Sequence, residues 1–122
     1  MSFRLEAQPL PELGTGAGQL NLDEYSGIIL CGSPFTSTDP VEEKSAVQLR
    51  VEADLHRLLD TVVERDYPFL GACYGVGSLA IHQGAVVNRE YGEPVEAIDI
   101  ALTEAGKSDP IAHGLCDGFR GF

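Results

Sequence analysis

The apolar positions of this chain fall into two spacings. Short unbroken apolar runs occur at residues 25–31, Tyr-Ser-Gly-Ile-Ile-Leu-Cys, and at 68–72, Pro-Phe-Leu-Gly-Ala. Runs of that length bounded by turn residues read as buried parallel strands. Between them, Val47, Val51, Leu55, Leu58, Leu59 and Val62 recur at three and four, which makes one apolar stripe of a helix. Arg50, Glu52, Asp54, Arg57 and Asp60 occupy its opposite face. The start is read at Asp39-Pro40-Val41-Glu42: Asp39 as cap, Pro40 at the first helical position, and Glu42 and Glu43 toward the positive end of the dipole. The helix is expected to end near Arg65, before Tyr67-Pro68.

The rest of the chain is read the same way. Residues 3–5 give a short strand, and 8–21 a Pro- and Gly-rich flexible connection. That connection is no phosphate loop, because no Lys-Ser/Thr follows its glycines. Residues 74–83 form a short helix stopped by Gly84 at C′. A brief strand is expected at 85–87. A half-exposed one follows at 96–102, with Ile98, Ile100 and Leu102 on one face. Asp109-Pro110-Ile111 starts a turn or short helix. Strands alternating with helices, without repeats or a boundary, imply one α/β domain with a parallel sheet and crossover helices.

Composition narrows the functions open to this fold. With 122 residues, 43% hydrophobic and 22% charged, the chain is sized for one small soluble domain. Its formal net charge of -11 repels phosphate backbones and anionic lipid, so nucleic acid and membrane surfaces are excluded as primary partners. No apolar run suffices to span a bilayer, and residues 1–10 lack the apolar region of a signal peptide. Cys31, Cys73 and Cys116 are odd in number and irregular in spacing, which fits neither a disulfide framework nor a zinc pattern. A reduced cytoplasmic protein is expected.

The chemistry gathers at Gly71-Ala72-Cys73-Tyr74-Gly75, a G-x-C-x-G pattern between an apolar strand and a helix. The physics is that of the nucleophile elbow: the turn is tight enough to demand glycine two residues before and after the nucleophile. Such a turn lifts the nucleophile above the C-terminal sheet edge, where ligands bind in open α/β folds. The helix that follows favours thiolate, and the Tyr74 N–H can stabilise an oxyanion. A buried structural cysteine flanked by incidental glycines is the competing reading; strand, elbow and helix together favour the nucleophile. Gly32-Ser33-Pro34 ends the other strand on the same edge. This loop is either a second source of an oxyanion N–H or an ordinary turn. A cysteine nucleophile needs a base. His56 lies near the polar face of its helix, His82 more than two turns down the elbow helix, and His113 in a loop without a neighbouring carboxylate. Structural or surface roles are expected for all three.

These segments resemble the class I glutamine amidotransferase domain, in particular a stand-alone bacterial branch that is GMP-synthase-like. The match covers 22–115. It rests on Tyr25-Ser-Gly-Ile-Ile-Leu-Cys-Gly-Ser-Pro, Asp66-Tyr-Pro-Phe-Leu-Gly-Ala-Cys-Tyr-Gly, and Gly84-Ala-Val-Val followed by Gly92-Glu-Pro-Val. The resemblance implies a flavodoxin-like, three-layer parallel sheet. It implies a glutaminase in which Cys73 attacks the glutamine side-chain amide, Ser33 and Tyr74 supply oxyanion N–H groups, and ammonia passes to a synthetase partner, with no cofactor or metal. The family's His-x-Glu falls beyond the segment matching 114–122, and its first strand and helix precede the match to 3–10. The resemblance therefore implies a domain incomplete at both ends and inactive by itself, with an open edge on the strand at 27–30 that a rearranged N-terminus or a second chain fills, in an assembly that is at least a dimer. Many members carry Gln where this chain has Gly77. Two other readings stand beside it: a cysteine protein of the DJ-1/PfpI group, and a truncated pseudoenzyme or interaction module.

Overall fold

The computed structural model describes residues 4–9, 20–88, 90, 92 and 96–121. It is a mixed α/β structure whose contacts gather in two compact units, Met1–Asn88 and Arg89–Phe122.

In the first unit, β1 (Ile28–Leu30) and β2 (Phe69–Gly71) lie parallel, with Ile28 opposite Phe69, Ile29 opposite Leu70 and Leu30 opposite Gly71. Between them runs α1 (Ala46–Glu64), and after them α2 (Tyr74–His82). The parallel strands joined through a helix are those the apolar runs predict. The core is Leu30, Val51, Leu55 and Tyr74, with Leu20, Phe35, Leu58 and Phe69 packed against it. Of the expected stripe on α1, Val51, Leu55, Leu59 and Val62 are buried. Val47, at the end of the stripe, is 43% exposed.

The start of α1 corrects the sequence reading. Val41–Glu43 forms a separate 3₁₀ turn after Pro40, and the chain re-extends at Lys44 and Ser45. Ser45, not Asp39, caps α1, its hydroxyl accepting from the Gln48 N–H at 3.1 Å. Asp54 also departs from its expected face: it is buried and paired with Arg57, which removes the penalty for a lone buried carboxylate.

Both long helices end in the same motif. After α2, the Gly84 N–H reaches the Ile81 carbonyl (2.9 Å) and the Ala85 N–H the Ala80 carbonyl (2.9 Å), with Gly84 at φ 83°. This is a Schellman turn with glycine at C′, as its position suggests. After α1, Asp66 takes the same place at φ 47°, with Asp66 N–H on Val63 and Tyr67 N–H on Val62. The expected strand at 85–87 is absent; those residues are irregular and Val86 is 87% exposed. Arg4 and Leu5 are not in a strand either, and Phe3 and most of the 8–21 connection lie outside the described residues.

The second unit pairs β3 (Ile98–Ala101) with β4 (Gly118–Gly121) in antiparallel register, with the short α3 (Glu104–Ser108) between them. The alternating burial of β3 follows its alternating sequence. The antiparallel pairing and β4 do not follow from the sequence reading, because Gly-Phe-Arg-Gly carries no strand pattern. Gly121 sits close to Ile100: a Cβ there would lie 2.6 Å from Ile100 Cδ1, the movable end of that side chain.

Candidate functional site

The turn from β2 to α2 is built around Cys73. Its backbone sits at φ 55° and ψ -107°, a region L-residues seldom occupy and which costs on the order of 1–3 kcal/mol. Such strain persists only where the surroundings impose it. Ahead of the turn, the Ala72 N–H is held by the Leu30 carbonyl at 2.8 Å; behind it, Cys73 opens a nine-residue helix.

The flanking glycines have steric reasons. A Cβ on Gly71 would stand 2.7 Å from the Gly75 carbonyl carbon and oxygen. A Cβ on Gly75 would stand 2.4 Å from the Leu30 carbonyl oxygen. Neither obstacle is a flexible side chain, so neither can give way cheaply. The Gly-x-Cys-x-Gly pattern thus answers to contacts of this fold, and Cys73 is exposed, not a buried structural residue.

Two further expectations concern the neighbourhood of the thiol. The 32–34 loop does meet it: a Cβ on Gly32 would lie 3.4 Å from Cys73 Sγ. Within that loop the Ser33 hydroxyl accepts from the Phe35 N–H at 3.1 Å, and Pro34 is exposed. At the head of α2, the Gly75 and Val76 N–H groups are taken by the Ala72 and Cys73 carbonyls at 3.0 and 3.1 Å. The Tyr74 N–H has no backbone acceptor among the described residues, as at any helix start. Gly77, two residues beyond the elbow, lies against Ser37: a Cβ there would come within 2.7 Å of Ser37 Oγ, which would have to turn away.

No hydrogen bond or ion pair joins Cys73 to a histidine among the described residues. His113 is exposed in the 110–114 turn of the second unit. His56 and His82 belong elsewhere. His82 Nε2 lies 2.9 Å from Asp60 Oδ1, and His56 Nδ1 lies 3.6 Å from Asp60 Oδ2. The two imidazoles meet edge to face at 4.6 Å. The His82 hydrogen bond, more than any other influence, holds the Asp60 carboxyl below its ordinary value. The sequence reading missed this cluster. His56 and Asp60 stand one helical turn apart and are legible as a pair, but His82 reaches them only because α2 packs on α1.

His56 and His82 also line a cavity of about 180 Å³ between the two helices, with Lys44, Glu52, Tyr74 and Ser78. Lys44 Nζ donates to Glu52 at 2.8 Å, with only 9% of the lysine side chain exposed. The Tyr74 hydroxyl is buried and, among the described residues, meets no hydrogen-bond partner. Ser78 spends its hydroxyl on the Tyr74 carbonyl (2.8 Å), and Glu52 accepts from Lys44 and Gln48. Burial first, and then the Glu52 carboxylate, push the Tyr74 phenol above its ordinary 10.0.

Comparison of the chain with protein-family models, with curated proteins and with solved structures gave no match.

Proposed function

We propose that Cys73 is the nucleophile of an amide-hydrolysing site of the class I glutamine amidotransferase type. The observation that carries this reading is the Cys73 backbone at φ 55° and ψ -107°, an energetically unfavourable turn kept between two glycines that no other residue can replace without displacing backbone. A cysteine that served packing alone would gain nothing from such a turn. In the proposed step the Cys73 sulfur forms a bond to the carboxamide carbon of glutamine and the carbonyl electrons move to oxygen. The oxyanion rests on the N–H groups of Ser33 and Tyr74, with Gly32 and Pro34 shaping the loop. Collapse expels ammonia, which takes up a proton, and leaves a glutamyl thioester that water cleaves. The fold proposed for the complete domain is flavodoxin-like. The partner is a synthetase that consumes ammonia.

The absence of a histidine bonded to Cys73 among the described residues favours a second reading, in which the chain by itself is an interaction module or pseudoenzyme. General acid–base assistance contributes on the order of 10²–10⁴-fold to such reactions, so this chain alone is expected to show no appreciable glutaminase turnover. A diazoketone analogue of glutamine separates the readings. It is expected to alkylate Cys73 in preference to Cys31 and Cys116, with free glutamine protecting, as read by peptide mass spectrometry. Equal labelling of all three thiols, unaffected by glutamine, would remove the amidotransferase reading and leave the interaction module.

A further inference from the structure

We infer that His56, Asp60 and His82 form a binding site for a divalent transition-metal ion of the zinc class, on α1 and α2 and independent of Cys73. The three side chains each offer one donor atom, and these atoms all lie within 4.8 Å of one another. Two imidazoles and a carboxylate are a donor set that zinc takes in sites that keep a further position open. Tetrahedral zinc at its usual bond lengths sets its ligands about 3.3 Å apart. The Asp60 carboxylate already reaches both rings, one through each oxygen: His82 Nε2 lies 2.9 Å from Oδ1 and His56 Nδ1 3.6 Å from Oδ2. The three donor atoms must draw in from within 4.8 Å to that separation, and the His56 side chain, 64% exposed, is free to turn.

The surroundings suit a metal in three respects. The His82 side chain is only 7% exposed, so one ligand is held in place before any ion arrives. Gln83 lies 2.8 Å from His82 Nδ1, the nitrogen that faces away from Asp60. With Nε2 on the metal, Nδ1 carries the proton, and the Gln83 amide, whose nitrogen faces Nδ1 here, turns over to present its oxygen as acceptor, an outer contact that fixes the ring as ligating histidines require. His56 and His82 both line the cavity that holds the unpartnered Tyr74 hydroxyl, which gives a metal-bound water or small anion a polar group to meet.

The test uses the whole chain with its three exposed thiols blocked by alkylation, since free cysteine also binds zinc. Zinc is titrated against a chromophoric chelator. One equivalent is expected to bind in the micromolar range or tighter and to raise the melting temperature. His56→Ala removes an exposed ligand without touching the core and is expected to weaken binding at least tenfold, as is Asp60→Asn. Gln83→Ala, which removes only the outer contact, is expected to weaken it by roughly tenfold. Melting curves without zinc confirm that each variant is folded. The inference is overturned if the blocked protein binds no zinc at these concentrations, or if His56→Ala and Asp60→Asn, both folded, bind as the parent does.

Discussion

Two neighbouring residues in the first unit are held in unfavourable states, for different reasons. Cys73 carries backbone strain, while its neighbour Tyr74 buries a hydroxyl with no partner. The first leaves the thiol exposed at the start of α2, at the positive end of the helix dipole. Cys73 is expected to react with iodoacetamide faster than Cys116, although both are exposed. Competitive labelling read by mass spectrometry checks this, and a faster Cys116 would mean the elbow activates nothing. For Tyr74 the expectation is a gain. An unsatisfied buried hydroxyl is destabilising by about 1–3 kcal/mol, so Tyr74→Phe is expected to raise the melting temperature slightly. The phenol also gives a pH signature. Its proton is held more tightly in the folded than in the unfolded chain, so this contribution is complete below pH 10.0 and is lost as pH rises through the folded-state value. The parent should therefore lose stability in alkali more steeply than Tyr74→Phe. Parallel melting curves from neutral pH upward would show no divergence if the folded chain did not hold the phenol's proton.

The elements depend on a few end positions. Ser45 caps α1 after the chain has already made and broken a 3₁₀ turn, and Ser45→Ala is expected to destabilise the first unit by about 1 kcal/mol in urea unfolding. The elbow glycines matter more. Gly75→Ala drives a methyl group against the Leu30 carbonyl, which holds the Ala72 N–H ahead of the turn, and overpacking of this kind destabilises by about 1–3 kcal/mol. Gly84→Ala is a useful contrast, because nothing lies near its Cβ and only the positive φ is penalised. That penalty is about 1–2 kcal/mol, and it should leave Cys73 labelling unchanged, whereas Gly75→Ala should alter it. Equal labelling in the two variants would show that the elbow tolerates displacement.

For the molecule as a whole, the two faces of the parallel pair differ. Leu30 and Phe69 meet α1 and α2 on one face. On the other, Ile29 and Leu70 stand opposite each other, 59% and 54% exposed. Parallel strands are ordinarily covered on both faces, and among the described residues β1 has only β2 beside it. We therefore expect the isolated chain to be at least a dimer by size-exclusion chromatography with light scattering. Leu70→Lys should shift it toward monomer. A monomer in which the β1 amides exchange rapidly would refute the expectation. No helix among the described residues is long and apolar enough to cross a membrane, in line with the absence of any long apolar run.

Local pattern was enough for much of this protein. The spacing of apolar residues determined α1, the parallel strand pair and the alternation of β3. Glycine placement alone marked the elbow at 71–75 and the helix stop at Gly84, because positive φ and close backbone approach leave few alternatives. What the sequence left undecided depends on partners distant in the chain. Asp39-Pro40 and Ser45 are both sound caps, and α1 starts at the second, where the helix can bury Gln48 and Val51. Val-rich 85–87 has the composition of a strand but pairs with none, and Gly-Phe-Arg-Gly lacks that composition yet pairs with β3. Tertiary structure alone buried Asp54 beside Arg57 and carried His82 to His56 and Asp60. Each of those contacts spans two elements or inverts the expected face of one, and no local period encodes the packing of α2 on α1.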